Sequence, residues 1–419
     1  MSNEIIRKGV FWLPSNPFRK IAGYLKYSNQ DIRLDLIGSL ENYKNSQKGF
    51  EYKIINGVLG TEAVLLYDSF ETERNFYIVT MDYTSLISNI IFFGINATDP
   101  SDLKFHRCNT HFTQFEEWIN KKDSFKIKID RVKYKVNVEY SLPDPIEIQF
   151  NKSNKCRIIF TASGPSISYY QKDAIIQQSV KFAYDSKRKK NVSVLLKYIS
   201  HFSKLLILFT QKPIFQSDTK VIVNGSKKQK KIEANIFRTY RDVISITKKV
   251  TPTEYLVNYF DIESKFINIV KKWFSYQSLV DVTLTNYFDN FFANTSIENQ
   301  FLNILKSMES YHRELLFPRN MNQVDRYISL FLRTSRAFNC YLRIPSKVKF
   351  CEKLRDTRND LTHNNPTVVE IQKNFKKLYR LTMEVRLILT SNILFDIGLD
   401  IKEIKKLIGR STVFQSVKR

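Results

Sequence analysis

The chain has 419 residues, 43% of them apolar and 14% aromatic, with only 11 Gly and 11 Pro. It is neither a disordered polypeptide nor a string of modules on long flexible linkers, and it is long enough for two or three packed domains. Its 66 Lys and Arg outnumber 41 Asp and Glu, a net of +25, which favours a polyanionic partner such as RNA, DNA or an acidic lipid surface, although base composition of the genome produces the same Lys-, Asn- and Ile-rich balance.

The first half reads as strands. Short β-branched or aromatic runs between polar breaks predict strands at Tyr24–Tyr27, Ile32–Ile37, AVLLYDS, NFYIVT, RIIFTAS and Lys220–Val223. FKIKI (Phe125–Ile129) and VKYKVNVEY (Val132–Tyr140) alternate apolar and polar residues, which predicts strands with one face in a core and one in water. Two helices interrupt them, HFTQFEEWIN (His111–Asn120) and SVLLKYISHFSKLLILF (Ser193–Phe209). The basic runs Lys187–Lys190 and Lys227–Lys231 read as exposed loops, either plainly solvated or touching a phosphate backbone.

From about Thr251 the period changes to 3.6. Pro252 suits a first helical turn, and YLVNYFDIESKFINIVKKWF, FLNILKSMESYHRELL, VDRYISLFLRTSRAF and EIQKNFKKLYRLTMEVRLILTSNILF each carry apolar residues on one helical face. The fold class is therefore α+β: a β-rich N-terminal domain over residues 1–240 with a few helices, then an all-α bundle over residues 253–419, the boundary falling between residues 240 and 252.

The four cysteines, Cys108, Cys156, Cys340 and Cys351, form no disulfide framework and fit a reducing, cytoplasmic setting. The N-terminal MSNEIIRKGVFWLPSNPF has no signal-peptide core. Apolar runs such as Ile90–Phe93 and Leu205–Phe209 fall far short of the ~20 residues that span a bilayer, so no membrane partner is expected.

Within the helical half, LRDTRNDLTHNNP (Leu354–Pro366) holds one of five histidines. If Glu352–Thr362 is helical, Arg355, Asn359 and His363 form one row, with Arg358 beside it. Asn365 precedes Pro366 and is biased away from the α region, so the helix should end near His363. An Arg and a His at a helix end suit phosphodiester chemistry. The guanidinium holds a phosphate and offsets charge on its oxygens, and an imidazole, with a pKa of about 6.5 when unperturbed, exchanges a proton at neutral pH. RNA brings its own nucleophile, the 2′-hydroxyl, so neither metal nor cofactor is required. The alternative is a histidine that merely caps the helix, with Arg355 and Arg358 paired to Asp356 or Asp360.

Arg358-Asn359-Asp360-Leu361-Thr362-His363 resembles the Arg-polar-x3-His signature of HEPN (higher eukaryotes and prokaryotes nucleotide-binding) domains. FLNILKSMESYHREL (Phe301–Leu315) is similar to a helix of the ApeA-like branch of that family. GVFWLPSNPFRKIAGYLKYSNQDIRLDLIGSL (Gly9–Leu40), with its Phe-Trp-Leu-Pro, Gly-x-Leu and Leu-x-Leu-x-Gly elements, resembles the start of the ApeA N-terminal domain, and FTQFEEWI (Phe112–Ile119) its short Trp-bearing helix. The resemblance implies an anti-phage protein acting by abortive infection. Its HEPN bundle would be a metal-independent endoribonuclease that cuts tRNA or mRNA, leaves a 2′,3′-cyclic phosphate and answers to a phage protein trigger. It also implies a homodimer or higher oligomer in which two motifs face each other. Carried over, Arg358 and His363 are the catalytic pair and Asn359 the residue that orients them. Glu309, His312 and Arg313 match the second helix, where Glu309 holds Arg358 in place or the three only knit the bundle; Arg355 is a further supporting residue.

Two rival readings stand beside this one: a HEPN module that binds RNA or nucleotide without cutting, and an interaction protein whose β domain recognises a phage protein. His106, Cys108 and His111, with Cys156, form a candidate zinc set but lack a second compact pair. A Walker-type Gly-rich loop and a cluster of nuclease carboxylates are both absent from the sequence, which argues against an NTP-driven motor and a two-metal nuclease.

Overall fold

The computed structural model describes residues 4–41, 50–75, 82–121, 124–167, 174–225, 231–239, 250–292, 295–315, 320–342, 344–363 and 375–418. A β-rich N-terminal region precedes a helical C-terminal region. The chain divides into two compact units, each drawn from several segments. The β-rich unit takes Met1–Thr113, Ile127–Ser200 and Phe215–Ser245; the helical unit takes Gln114–Lys126, His201–Ile214 and Ile246–Arg419.

In the β-rich unit, β1 (Ile5–Trp12), β2 (Ile21–Tyr27), β3 (Ile32–Ile37), β4 (Glu51–Leu59), β5 (Glu62–Asn75) and β6 (Tyr83–Phe93) are antiparallel and close on themselves in the order β1-β2-β3-β6-β5-β4. Closure removes the free edges of these strands. Phe11, Leu25, Leu34, Leu36, Ile55, Leu66, Leu86 and Ile91 fill the interior. Two glycines permit this packing. A Cβ on Gly57 would lie 2.5 Å from the ring of its cross-strand partner Phe11, and Gly38 has a φ of +120°, which disfavours any side chain.

Beyond the barrel the sheet continues through β7 (Lys104–Phe112), β10 (Ile146–Asn151), β11 (Asn154–Ile167), β12 (Ala174–Asn191), β13 (Gln216–Val223) and β14 (Ile232–Arg238), in the order β14-β13-β7-β12-β11-β10. Strand β14 joins this extension to the barrel by pairing with Ile90–Phe93 of β6. The predicted strand at Ile32–Ile37 coincides with β3; those at Tyr24–Tyr27 and Lys220–Val223 are parts of β2 and β13. Of NFYIVT only Asn75 is among the described residues.

Three expectations are corrected here. The alternating runs do form a separate hairpin, β8 (Phe125–Asp130) with β9 (Lys135–Tyr140), but nearly every residue is exposed on both faces. Alternation reports a pattern that suits a half-buried strand, and neither face of this one is buried among the described residues. The helix expected over His111–Asn120 begins only at Phe115 and ends at Ile119 (α1), because His111 and Phe112 complete β7 and Gln114 takes a left-handed φ of +62°. The basic run Lys187–Lys190 lies inside β12 rather than in a loop. Lys227–Lys230 of the other run lie outside the described residues.

Helix α2 (Val192–Thr210) is long and apolar enough to cross a membrane by length and composition, but 67% of its most apolar window is buried in the protein. Its second half belongs to the helical unit. There Trp118 of α1 stacks on Phe209 at 5.7 Å between ring centres and donates from Nε1 to the carbonyl of Val257 at 2.8 Å. His201 is equally committed: it stacks on Trp273 at 4.9 Å, and each ring bonds the other's carbonyl at 2.9 Å.

The stretch expected as one helix over residues 255–274 starts only at Tyr259, where Asn258 and Asp261 form a reciprocal cap, and is divided into α3 (Tyr259–Ile262) and α4 (Phe266–Ser275). After α5 (Gln277–Thr283) and α6 (Thr285–Asp289) come the long helices α7 (Ile297–Leu315), α8 (Gln323–Phe338), α9 (Lys347–His363), α10 (Phe375–Asp396) and the closing α11 (Ile401–Arg410). Helix α10 packs on α7 and α8, and α8 on α9. Because α10 is buried nearly all round from Leu381 on, it forms the centre of the bundle. A buried polar clamp fixes the register there. Asp396 of α10 accepts from Arg333 of α8, at 2.8 Å to Nη1 and again from Nη2, and from the hydroxyl of Tyr311 on α7.

Candidate functional site

The candidate site is built on the last turns of α9 and the facing stretch of α7. Phe350, Cys351 and Leu354 anchor α9 in the bundle. The helix then becomes polar, so Arg358, Asn359 and His363 emerge from its C-terminal turns, with His363 exposed. Helical structure is described up to His363; Asn365 and Pro366 lie outside the described residues.

Glu309 of α7 faces Arg358. Its carboxylate lies 3.5 Å from Arg358 Nε, and its side chain is 12% exposed. The same Oε1 accepts from the Tyr327 hydroxyl at 2.5 Å and from Gln323 Nε2 at 3.4 Å, both on α8. Tyr327 is buried, and burial together with the Glu309 charge pushes its hydroxyl pKa up, so it remains a donor. Arg358 Nη1 donates to Asn359 Oδ1 at 3.2 Å. The guanidinium is thus held on its Nε side by a carboxylate and at Nη1 by an amide, while Nη2 has no partner among the described residues. The Thr362 hydroxyl donates back to the Arg358 carbonyl at 2.7 Å, tightening the turn between Arg358 and His363.

The structure brings together Arg358, Asn359 and Glu309. No hydrogen bond joins Arg358 to His363 among the described residues; they share the helix end. Arg355 is paired with its neighbour Asp356 at 2.8 Å. His312 is buried, its Nδ1 has no partner among the described residues, and burial and then the Arg326 charge lower its pKa. Arg313 points to solvent. Sequence reasoning missed Tyr327 and Gln323, whose position against Glu309 depends on how α8 crosses α7. It also missed a cavity of about 460 Å³ at the N-terminal halves of α9 and α10, where Lys349, Lys353, Lys377 and Arg380 gather. Arg380 there is paired with Glu384 at 3.1 Å.

The zinc set is not assembled by the sheet. Strand alternation sends His106 and Cys108 to one face of β7 and His111 to the other. Cys108 and Cys156 are each paired with Tyr184 across separate ladders, two strand spacings or about 10 Å apart. Burial pushes the Cys108 thiol up to about 12. Among the described residues no group of three or more His, Cys, Asp or Glu is placed to hold a metal ion.

The helical unit thus presents an Arg, a polar residue and a His on one helix end, with the Arg braced by a carboxylate from the facing helix. Residues 6–273 match the ApeA N-terminal domain 1 family model and residues 223–403 the Apea-like HEPN model. The chain belongs to the ApeA-like HEPN family. No curated protein and no solved structure matches it.

The bracing of Arg358 makes a prediction. Glu309→Gln keeps the size and still accepts from Tyr327, but removes the charge facing the guanidinium. The contact is an ion pair at 3.5 Å that orients the guanidinium, so an RNA-cleavage rate that depends on Arg358 should fall about tenfold, less than the ~100-fold for deleting an electrostatic donor, with little change in melting temperature. An unchanged rate constant would reduce Glu309 to a bundle contact.

Proposed function

We propose that this protein is a metal-independent endoribonuclease of anti-phage defence by abortive infection. The helical unit cuts RNA, tRNA or mRNA in the cytoplasm, and the β-rich unit responds to a phage component. The observation that carries this reading is the guanidinium of Arg358, held at Nε and Nη1 and with no Nη2 partner among the described residues, on the same helix end as the exposed His363. Arg358 binds the scissile phosphate. The 2′-oxygen attacks phosphorus, its proton passes to a base, the bond to the 5′-oxygen breaks, and that oxygen takes a proton from an acid. One His363 supplies one of these roles. A second copy facing it across a two-fold axis supplies the other, and such isologous pairs are the commonest oligomers. The lysines beside the N-terminal half of α9 offer charge to the RNA backbone.

Purified protein incubated with total RNA in excess EDTA tests the reading. Cleavage should persist under chelation and leave 2′,3′-cyclic phosphate ends. Loss in EDTA with recovery in magnesium or manganese would assign a different nuclease chemistry. Absence of cleavage by protein activated in infected cells would favour a binding module.

A further inference from the structure

The β-rich unit carries a cationic cavity of its own. It arises where strand β12 falls out of step with β7. Asp185 pairs with Arg107, but the next pair is Lys190 with Phe105, so Ser186–Lys189 stand opposite His106 alone and bulge from the ladder. On the other side of β12, the ladder with β11 ends at Asn154 and Ser186, and the Lys187 amide donates instead to the Ser153 carbonyl at 2.9 Å. Bulges of this kind re-aim side chains. Here the bulge and the β10–β11 turn frame a cavity of about 760 Å³, with Arg107 and Arg157 on its walls and Lys152 and Lys187 exposed around it.

The charge inside is unbalanced. Lys155 is answered by Glu147 at 2.8 Å. Asp185 is the sole carboxylate of the lining, and it is shared by two arginines: it accepts from Arg157 Nε at 2.7 Å and also from Arg107 Nε. Both guanidinium groups are therefore fixed by one edge, and their Nη atoms have no partner among the described residues. Arg157 Nη2 is shut off from solvent without a partner, so it adds positive charge behind the cavity wall rather than a direct contact. The two arginines thus form a clasp of fixed guanidinium groups with surplus positive charge. Such a clasp matches the multiple oxygens of a phosphate. The volume lies in the range of small-molecule sites and exceeds what a bare oxyanion fills.

We infer that this cavity binds a phosphorylated small molecule of nucleotide size, its phosphates held by Arg107 and Arg157 with Lys152 and Lys187 closing over them. The site lies wholly within the β-rich unit and stands apart from the nuclease reading of the helical unit. Calorimetric titration of the full-length protein with ATP, inorganic tripolyphosphate and adenosine tests it. ATP and tripolyphosphate should bind and adenosine should not. The double variant Lys152→Glu/Lys187→Glu, which changes only exposed side chains, should keep its melting temperature and lose at least about tenfold in ATP affinity by reversing two phosphate-facing charges. Arg107→Gln should weaken binding further, and Arg358→Ala should leave it intact. Adenosine binding as tightly as ATP, no binding by either phosphate probe, or ATP affinity unchanged in the double variant would overturn the assignment. So would affinity that falls in Arg358→Ala instead, since the anion would then sit in the helical unit.

Discussion

Alanine at either His363 or Arg358 is expected to lower RNA cleavage by at least about a hundredfold, the low end of what a proton-transfer group or an electrostatic donor supplies. The expectation rests on where the two side chains stand. His363 is exposed at the end of α9 and Arg358 is a quarter exposed, its Nη2 without a partner among the described residues. Removing either opens no core cavity, and melting should shift by no more than about two degrees, as for other surface changes. A rate loss without a stability loss separates chemistry from folding. Mixing the two variants adds information on assembly: if each phosphate needs groups from two chains, the mixture should recover activity that neither variant shows alone. Full cleavage by His363→Ala would remove the histidine from the mechanism.

The largest effect on stability is expected far from that helix end. Trp118→Ala should cost about 3–5 kcal/mol, the usual loss for a large buried aromatic. Trp118 is 1% exposed, stacks on Phe209, packs edge-on against Tyr259 and at a tilt against Phe266, and leaves the Val257 carbonyl without its donor when deleted. Denaturant unfolding of the helical unit, followed through its far-ultraviolet helix signal, measures this. A loss below about 1 kcal/mol would mean that the surrounding aromatics collapse into the vacancy.

Much of this architecture was legible because local patterns and tertiary packing agree. Leu25, Leu34 and Leu36, which appear in the sequence as Gly-x-Leu and Leu-x-Leu-x-Gly elements, are barrel interior, and Gly38 is there for its backbone angle. The elements that identify the family at the N-terminus are thus packing signals, whereas those around Arg358 are polar and half exposed. Helices α7, α8 and α2 follow their apolar periodicity closely. What failed depended on distant neighbours. The alternation of β8 and β9 cannot say whether an apolar layer exists to receive it. The bulge of β12 at Lys187 is set by its pairing with β7 and is invisible in a run of lysines. At the candidate site the spacing placed Arg358, Asn359 and His363 on one helix end, but Tyr327 and Gln323 reach Glu309 only through the crossing of α7 and α8.

The helical unit borrows Gln114–Lys126 and His201–Ile214 from within the sequence of the β-rich unit, and with them Trp118, His201 and Phe209. A gene segment encoding residues 253–419 alone would therefore carry the Arg-x4-His helix but not the aromatic residues on which α3 and α4 rest. Recombination at that point would yield a fragment with an unfilled core rather than a transplantable toxin. The same threading orders events at the ribosome: α1, although made early, cannot complete its packing until Tyr259 and Phe266 of α3 and α4 have been translated. The two units are thus inherited together, and a lineage that lost the β-rich unit by truncation would lose the packing of α3 and α4 with it.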